Sequence, residues 1–198
     1  MPSRRSDAPP GPWPYTFDDL VAAVREEVAA VLRSRLTVTR RMAERHGVGA
    51  TVAAIETLMR RGGKRYRAAL AVAGFAAADE QAPGQPAMAA GAARELLHAY
   101  LLIQDDWMDD DDTRRGGPSV HVVLRESYGD ARLGAASALL ASDLAWGLSM
   151  RIMAELDVAP SRRVAAMSAM LRCHQDVIVG QQIDLLTEHR AGAVVAEV

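Results

Sequence analysis

Residues 105–112 carry the clearest chemical signal in this chain, because six of the eight are aspartate. They follow the apolar run at residues 101–103, at the end of a segment whose spacing predicts a long helix. Aspartate is a poor helix former, and the C-terminal end of a helix disfavours negative charge. Local propensity therefore opposes this arrangement, and a bound cation would offset the repulsion.

Asp105 and Asp109 lie one turn apart, so they share a helix face. Paired carboxylates suit hard divalent cations, and Mg²⁺ takes one or two of them together with waters and phosphate oxygens. Acidic surface runs normally lie within polar sequence, whereas this one directly follows an apolar segment of a predicted helix. We therefore interpret the run as a metal site rather than a solvated acidic surface.

Two basic segments could hold the phosphate groups that such a metal site implies. Arg114 and Arg115 follow the aspartates after a single threonine and precede two glycines, which allow close backbone approach. Residues 62–67, GGKRYR, place three cations at a predicted helix start, where acids are normally preferred. An anionic ligand would resolve the conflict, and a basic surface patch is the alternative interpretation of this segment alone. Lys64 in this segment is the only lysine among 23 basic residues, which fits a site that needs an ammonium group.

His98 lies seven residues before Asp105, about two turns down the same helix face. It could donate a hydrogen bond to a phosphate, or it could be a core histidine with its hydrogen bonds satisfied by the protein. Spacing alone leaves both interpretations open.

The composition limits the fold and the functional class. Aromatic residues make up 5% of the chain, and helix formers such as alanine and leucine dominate, which predicts an all-α protein rather than a sandwich or barrel. The net charge of −2 does not suggest a nucleic-acid binder, and the single cysteine excludes a disulfide framework. No apolar run reaches the roughly 18 residues of a transmembrane segment. With no secretory signal recognised, the cytoplasm is the expected compartment.

Periodicity and chain breakers predict a series of helices. Residues 1–15, with five of the nine prolines, are expected to form a disordered arm. Thr16 is predicted to cap a helix that reaches about His46, and Thr51 to cap a second one that stops at Gly62. Further helices are predicted at about 64–78, 88–112, 119–127, 131–156 and 161–190, with no clear strand.

Four motifs then give the chain a resemblance to the trans-isoprenyl diphosphate synthases, also called polyprenyl synthetases. Residues 62–67 resemble the GGKRxRP motif, with Ala68 in place of the proline, and residues 105–109 resemble the first aspartate-rich motif, DDxxD. Residues 114–118 match RRGxP, and residues 180–185 match GQxxDL. The resemblance extends from about residue 17 to residue 190 and rests on all four motifs in the right order.

The resemblance implies an all-α antiparallel helical bundle around a central cavity, the isoprenoid synthase type I fold, usually as a homodimer. It implies transfer of an allylic prenyl group to isopentenyl diphosphate with two or three Mg²⁺ ions, or Mn²⁺ in their place, at Asp105, Asp106 and Asp109. Arg114 would hold the allylic diphosphate. The implied substrate-binding residues are Lys64, Arg65, Arg67, His98, Arg114, Arg115, Gln181 and Asp184. Tyr100 and Leu101 would limit the product to about C15–C20, by resemblance to the chain-length position of the family.

The chain also departs from the family pattern. The family has a second aspartate-rich motif, whereas the aspartates after Asp112 are isolated in this sequence. We therefore expect residues 16–198 to be a partial synthase domain, the N-terminal portion of a longer enzyme without its C-terminal helices, and weakly active or inactive alone. Two alternatives stay open: a class I terpene cyclase fragment, which shares DDxxD, and a non-catalytic synthase-like subunit that regulates a full-length partner. Neither nucleic acid nor a transmembrane segment is expected.

Overall fold

The all-α fold is confirmed by a computed structural model that describes residues 16–78 and 84–196. The predicted arm at residues 1–15 lies outside the described residues. The elements are α1 (Phe17–Glu44), α2 (Gly49–Arg60), α3 (Tyr66–Ala78), α4 (Gln85–Met108), β1 (Thr113–Arg114), β2 (Gly117–Pro118), α5 (Val120–Tyr128), α6 (Ala131–Ala154) and α7 (Pro160–Ala196). The chain divides into two compact units, one through Leu156 and one from Asp157 onward.

Helix α4 is the central element of the first unit, and it carries both His98 and the first aspartates. It packs against α6, α3 and α1, and its buried face includes Leu96 and Ile103. The buried Ser149 hydroxyl of α6 donates to the carbonyl of Ala93 at 2.7 Å, which pins the two helices together. Burial of this apolar face, more than helix propensity, stabilises α4 against its acidic end.

Helix α6 is the one helix, within the described ranges, that is long and apolar enough to cross a membrane by length and composition. Its buried residues include Ala138, Ala145 and Ile152, and it packs against α4 and α5. This packing is typical of the core helix of a helical bundle.

Two predicted helix starts have different outcomes. Thr16 caps α1 as predicted, since its hydroxyl oxygen accepts from the Asp19 amide at 3.2 Å. The predicted Thr51 cap is wrong, because α2 begins at Gly49 after Val48, whose side chain makes no capping hydrogen bond. The Gly47 turn, with a φ of +73°, lets the chain reverse early enough for the helix to start there.

Helix α7 runs through Ala196, beyond its predicted end at about residue 190. Helix α4, in contrast, ends before its predicted C-terminus. The helix stops at Met108 rather than Asp112, and Asp109 is its C-cap. Asp110 has a φ of +53°, a left-handed conformation that aspartate tolerates better than most residues. The aspartates after Met108 therefore leave the helix, which relieves the unfavourable stacking of negative charge at its C-terminus.

The segment after the aspartates is a hairpin rather than a simple break. Thr113 pairs with Pro118 and Arg114 with Gly117, in antiparallel register. The two residues at the turn, Arg115 and Gly116, have φ values of +52° and +73°. Positive φ at both positions matches the tight turns that suit two-residue hairpins, and no strand was predicted here.

Candidate functional site

A cavity of about 250 Å³ lies between the start of α3 and the middle of α4. We call it the basic cavity. Its lining residues are Gly63, Lys64, Arg65, Tyr66, Arg67, Glu95, His98 and Arg115. Four cationic side chains against one carboxylate give it a positive field, and five of the residues predicted to bind substrate converge here.

The rim of the basic cavity is formed by three predicted residues. Lys64 is exposed, and its ammonium lies 5.7 Å from the centre of the Tyr66 ring, a cation–π geometry that leaves its hydrogens available to a ligand. Arg67 Nη1 lies 3.3 Å from His98 Nε2. Arg67 therefore sits close enough to His98 to share a bound anion with it.

His98 is held in its neutral form by its surroundings. Burial lowers its pKa to about 4, and the nearby Arg67, Arg115, Arg65 and Arg114 add to the effect. Because a neutral imidazole still has one N–H, His98 can donate a hydrogen bond near pH 7 without adding to the positive charge.

Arg65 is the exception among the predicted substrate-binding cations. It is buried, its Nη1 is ion-paired with the buried carboxylate of Glu95, and its Nη2 donates to the Met59 carbonyl at 2.8 Å. The Arg65–Glu95 ion pair links the turn before α3 to α4. It stabilises the left-handed backbone conformation of Arg65, whose φ is +57°. Arg65 therefore carries a structural ion pair, and its contact with substrate stays a prediction.

Arg115 reaches the same cavity from the hairpin. Its Nη1 donates to the Leu58 carbonyl at 3.3 Å, near the C-terminal end of α2, where the helix dipole favours a cation. Burial lowers the pKa of Arg115, and Arg65 lowers it further. A bound anion would relieve this crowding of positive charge.

The carboxylates at the end of α4 converge on Arg114. Arg114 Nε is ion-paired with Asp106, and its Nη2 lies 2.9 Å from Asp111 and 3.4 Å from Asp105. Asp106 is fully buried, and its Oδ2 accepts no hydrogen bond from the described residues. Burial raises the pKa of Asp106 against the pull of Arg114.

The three predicted metal ligands therefore lie in different surroundings. Asp105 is half-buried and Asp109 is exposed, one turn apart, whereas Asp106 turns inward to Arg114. Within the described residues, no three His, Cys, Asp or Glu side chains converge as a preformed metal cluster. The donor set fits an ion held by one or two carboxylates and completed by ligand oxygens, which is the coordination that Mg²⁺ favours.

The predicted chain-length residues lie one turn before the aspartates. Tyr100 is buried, and its ring centre lies 5.8 Å from that of Trp146 on α6, at an interplanar angle of 36°. Leu101 is half-buried beside it on α4. The Tyr100–Trp146 ring contact packs α4 against α6 at this position.

Gln181 and Asp184 lie on α7 in the second unit, three residues apart, and Asp184 is exposed. Their predicted place near the allylic site stays a prediction.

Three residues of the site were not assigned a role from the sequence. Glu95 could have been found as an acidic residue within an apolar helix face, three positions before His98. No local pattern distinguishes Trp146, which meets Tyr100 only through tertiary packing. Arg61 donates to the hairpin carbonyls, yet nothing in the sequence separates it from its neighbour Arg60.

Comparison with known proteins relates this chain to a family of enzymes. The chain is 33% identical over 129 residues to a geranylgeranyl diphosphate synthase of Methanosarcina mazei, covering 65% of this chain and 36% of that protein. It is 35% identical over 147 residues to a probable farnesyl diphosphate synthase of Sinorhizobium fredii, covering 72% and 41%. The chain thus spans well under half the length of these relatives.

A solved structure gives the same relationship. The geranylgeranyl pyrophosphate synthase of Corynebacterium glutamicum, crystallised with isoprenyl diphosphate and magnesium, aligns with a TM-score of 0.73 and 25% identity. The alignment covers 89% of this chain and 52% of that one. The family model described as polyprenyl synthetase matches residues 50–197, three quarters of the chain, and the chain belongs to that family.

Proposed function

We propose that this chain binds two diphosphate groups side by side, as part of a short-chain isoprenyl diphosphate synthase with products of about C15–C20. The observation that carries the proposal is the arrangement of two opposite charge environments along α4. His98 faces the basic cavity, and Asp105 and Asp106 meet Arg114 two turns later. The hairpin between β1 and β2 supplies one arginine to each environment.

Isopentenyl diphosphate would occupy the basic cavity. Lys64, Arg67 and Arg115 would neutralise its diphosphate, and neutral His98 would donate one hydrogen bond. Such binding needs no metal, because Lys64, Arg67 and Arg115 line the space in addition to the Arg65–Glu95 ion pair.

The allylic diphosphate would lie at the aspartate cluster. Asp105 and Asp109 are the carboxylates accessible enough to hold Mg²⁺, and Asp106 orients Arg114 toward the same place. Magnesium, when bound there, would neutralise charge on the departing diphosphate. Arg114 would add guanidinium donors to the same oxygens, where charge develops as the C–O bond breaks.

Breaking the C–O bond of the allylic diphosphate leaves a carbocation. The side chains that precede the aspartates on α4 would protect this carbocation from water. The double bond of isopentenyl diphosphate attacks that cation, and the new carbocation then loses a proton, for which the departed diphosphate is the available base. The two diphosphates must therefore be held in fixed relative positions. The buried Tyr100 and the adjacent Leu101 would exclude water and limit the length of the growing chain. No serine or cysteine nucleophile is needed for this reaction.

The basic cavity favours condensation over cyclisation, because a cyclase acts on a single diphosphate substrate. The relatives named above are synthases of farnesyl and geranylgeranyl diphosphate, which supports the same substrate class. We further propose that the chain pairs as a homodimer. The aspartates after Asp112 are isolated and form no second aspartate-rich motif in this sequence, so we expect this chain alone to be weakly active or inactive.

Calorimetric titration with isopentenyl diphosphate in magnesium-free buffer tests the proposal. We expect saturable binding to the chain, and its loss in a Lys64→Ala/Arg67→Ala variant. Arg132→Ala removes an exposed arginine at the start of α6 and is the matched control, with affinity unchanged. Absence of binding to the unaltered chain, or equal affinity in the double variant, would overturn the proposal.

A further inference from the structure

Arg61 joins the end of α2 to the hairpin that carries Arg114 and Arg115. It is the C-cap of α2, and its amide donates to the Thr57 and Met59 carbonyls. Its Nη1 donates to the Pro118 carbonyl at 2.6 Å and lies 3.3 Å from the Arg114 carbonyl. One guanidinium thus bridges the two strands of the hairpin from outside.

Gly117 allows this close approach. A β-carbon at this position would lie 2.7 Å from both Nε and Nη2 of Arg61, closer than real contacts permit. The guanidinium of Arg61 therefore lies flat against the backbone of β2 at Gly117, which is the x of the RRGxP motif. Arg61 and Gly117 fit each other: a side chain at 117 would displace Arg61 from the hairpin.

The hairpin needs such an external contact. Its strands are two residues each, and isolated two-stranded hairpins are marginally stable at best. Arg115 sits in a left-handed conformation, with a φ of +52°, which is unfavourable for a residue with a β-carbon. The turn nevertheless sets the directions of two functional guanidiniums, Arg114 toward Asp106 and Arg115 toward the basic cavity.

We propose that Arg61 is a positioning residue that fixes the hairpin, and through it the guanidiniums of Arg114 and Arg115, for binding of the two diphosphates. It acts through the Arg114 and Pro118 carbonyls, and substrate contact by Arg61 itself is not required. This inference rests on the proposed function for its ligand, whereas the fixing of the hairpin stands on the geometry alone.

Three variants and a matched control separate this role from a general effect of charge. Arg61→Ala removes the bridge, and Gly117→Ala displaces it while keeping the arginine. The double variant Arg61→Ala/Gly117→Ala shows whether the effect of Gly117→Ala depends on Arg61. Arg60→Ala is the control, because it removes the same charge one residue away and Arg60 hydrogen-bonds Thr57 on its own helix.

Hydrogen–deuterium exchange gives a readout that needs no ligand. We expect faster exchange of peptides covering residues 113–118 in Arg61→Ala and in Gly117→Ala, while Arg60→Ala matches the unaltered chain. Exchange in the double variant should equal that of Arg61→Ala. Unchanged hairpin exchange in Arg61→Ala, or additive effects in the double variant, would overturn the inference.

Titration with isopentenyl diphosphate then tests the consequence for binding. Arg61→Ala should weaken the affinity about tenfold, as expected for loss of preorganised contacts, and Arg60→Ala should stay within about twofold. Failure of the unaltered chain to bind would overturn the proposed function, with the exchange result still deciding whether Arg61 fixes the hairpin. Equal weakening by both substitutions would overturn the positioning role, because it would show a charge effect alone.

Discussion

At the scale of single residues, the charge state of His98 is the most informative property of the basic cavity. Its pKa of about 4 lies below its value in an unfolded chain, because of burial first and four nearby arginines second. The unfolded chain therefore binds more protons between these two pKa values, and the folded state loses stability as the pH falls through that range.

Replacing His98 by glutamine should remove this dependence. We expect the free energy of unfolding to fall less between about pH 6.5 and about pH 4.5 in His98→Gln than in the unaltered chain. Urea unfolding at both pH values measures the difference. His46→Gln, at an exposed position after α1, should retain the original dependence. Identical pH dependence in His98→Gln and the unaltered chain would contradict the account of this histidine.

The ion pair of Asp106 and Arg114 shows that a residue of the aspartate-rich motif has a structural role. Asp106 is completely buried, so its loss leaves the partly buried Arg114 without its main partner. We expect Asp106→Ala to destabilise the fold by about 3 kcal/mol, measured by chemical denaturation.

Asp110→Asn is the control for that substitution. Asp110 is exposed, and asparagine tolerates its positive φ, so the change should stay within about 0.5 kcal/mol. Equal stability of the two variants would show that burial of Asp106 carries no energetic weight.

At the scale of elements, the contact between α5 and α6 depends on one glycine. A β-carbon at Gly134 would lie 2.5 Å from the backbone nitrogen and Cα of Arg125, so the helices must separate to admit any side chain. We expect Gly134→Ala to lower the free energy of unfolding by about 2 kcal/mol, as overpacking does in other cores.

Gly147 supplies the matched comparison on the same helix. It is exposed, and a β-carbon there meets nothing within 4 Å. Gly147→Ala should therefore raise stability by about 0.5–1 kcal/mol, through helix propensity alone. A stabilising Gly134→Ala variant in the same denaturation series would contradict the close packing of α5 on α6.

The elements also show what local sequence can and cannot predict. The spacing of apolar residues predicted most helices, since amphipathic periodicity is a local property that burial then reinforces. The position of α4's end and the β1–β2 hairpin were missed. Both depend on positive φ at Asp110 and Arg115, which non-glycine residues adopt only where surrounding contacts enforce it.

The candidate site also contains residues that local sequence predicts and contacts that it does not predict. Lys64, Arg67, His98 and Arg115 were identified from charge and spacing, and the fold brings them to one cavity. The ion pair of Arg65 with Glu95 and the hydrogen bonds of Arg61 to the hairpin are not predictable in this way. Glu95 lies about thirty positions after Arg65, and Pro118 lies more than fifty positions after Arg61. Long-range partners of arginine leave no local pattern.

At the scale of the whole molecule, the distribution of charge matters more than its total. A net charge of −2 offers no general attraction for anions, so the proposed diphosphate affinity would have to come from the basic cavity itself. We expect the affinity for isopentenyl diphosphate to fall as ionic strength rises from about 0.05 M to about 0.5 M, because salt screens these partly exposed charges.

Titration at both ionic strengths measures this dependence. Unfolding at the same two salt concentrations is the control, and it should change less than the binding free energy. Affinity independent of salt would indicate that apolar contacts rather than the arginines and Lys64 hold the ligand.

Under the proposed function, α4 presents a metal-dependent diphosphate site beside a metal-independent one. Titration with an allylic diphosphate, with and without Mg²⁺, tests it most directly, using Asp105→Asn/Asp109→Asn for comparison. We expect allylic diphosphate binding that requires Mg²⁺ and is lost in the double variant, while isopentenyl diphosphate still binds that variant. Allylic diphosphate binding that is indifferent to Mg²⁺, or unchanged in the double variant, would contradict it.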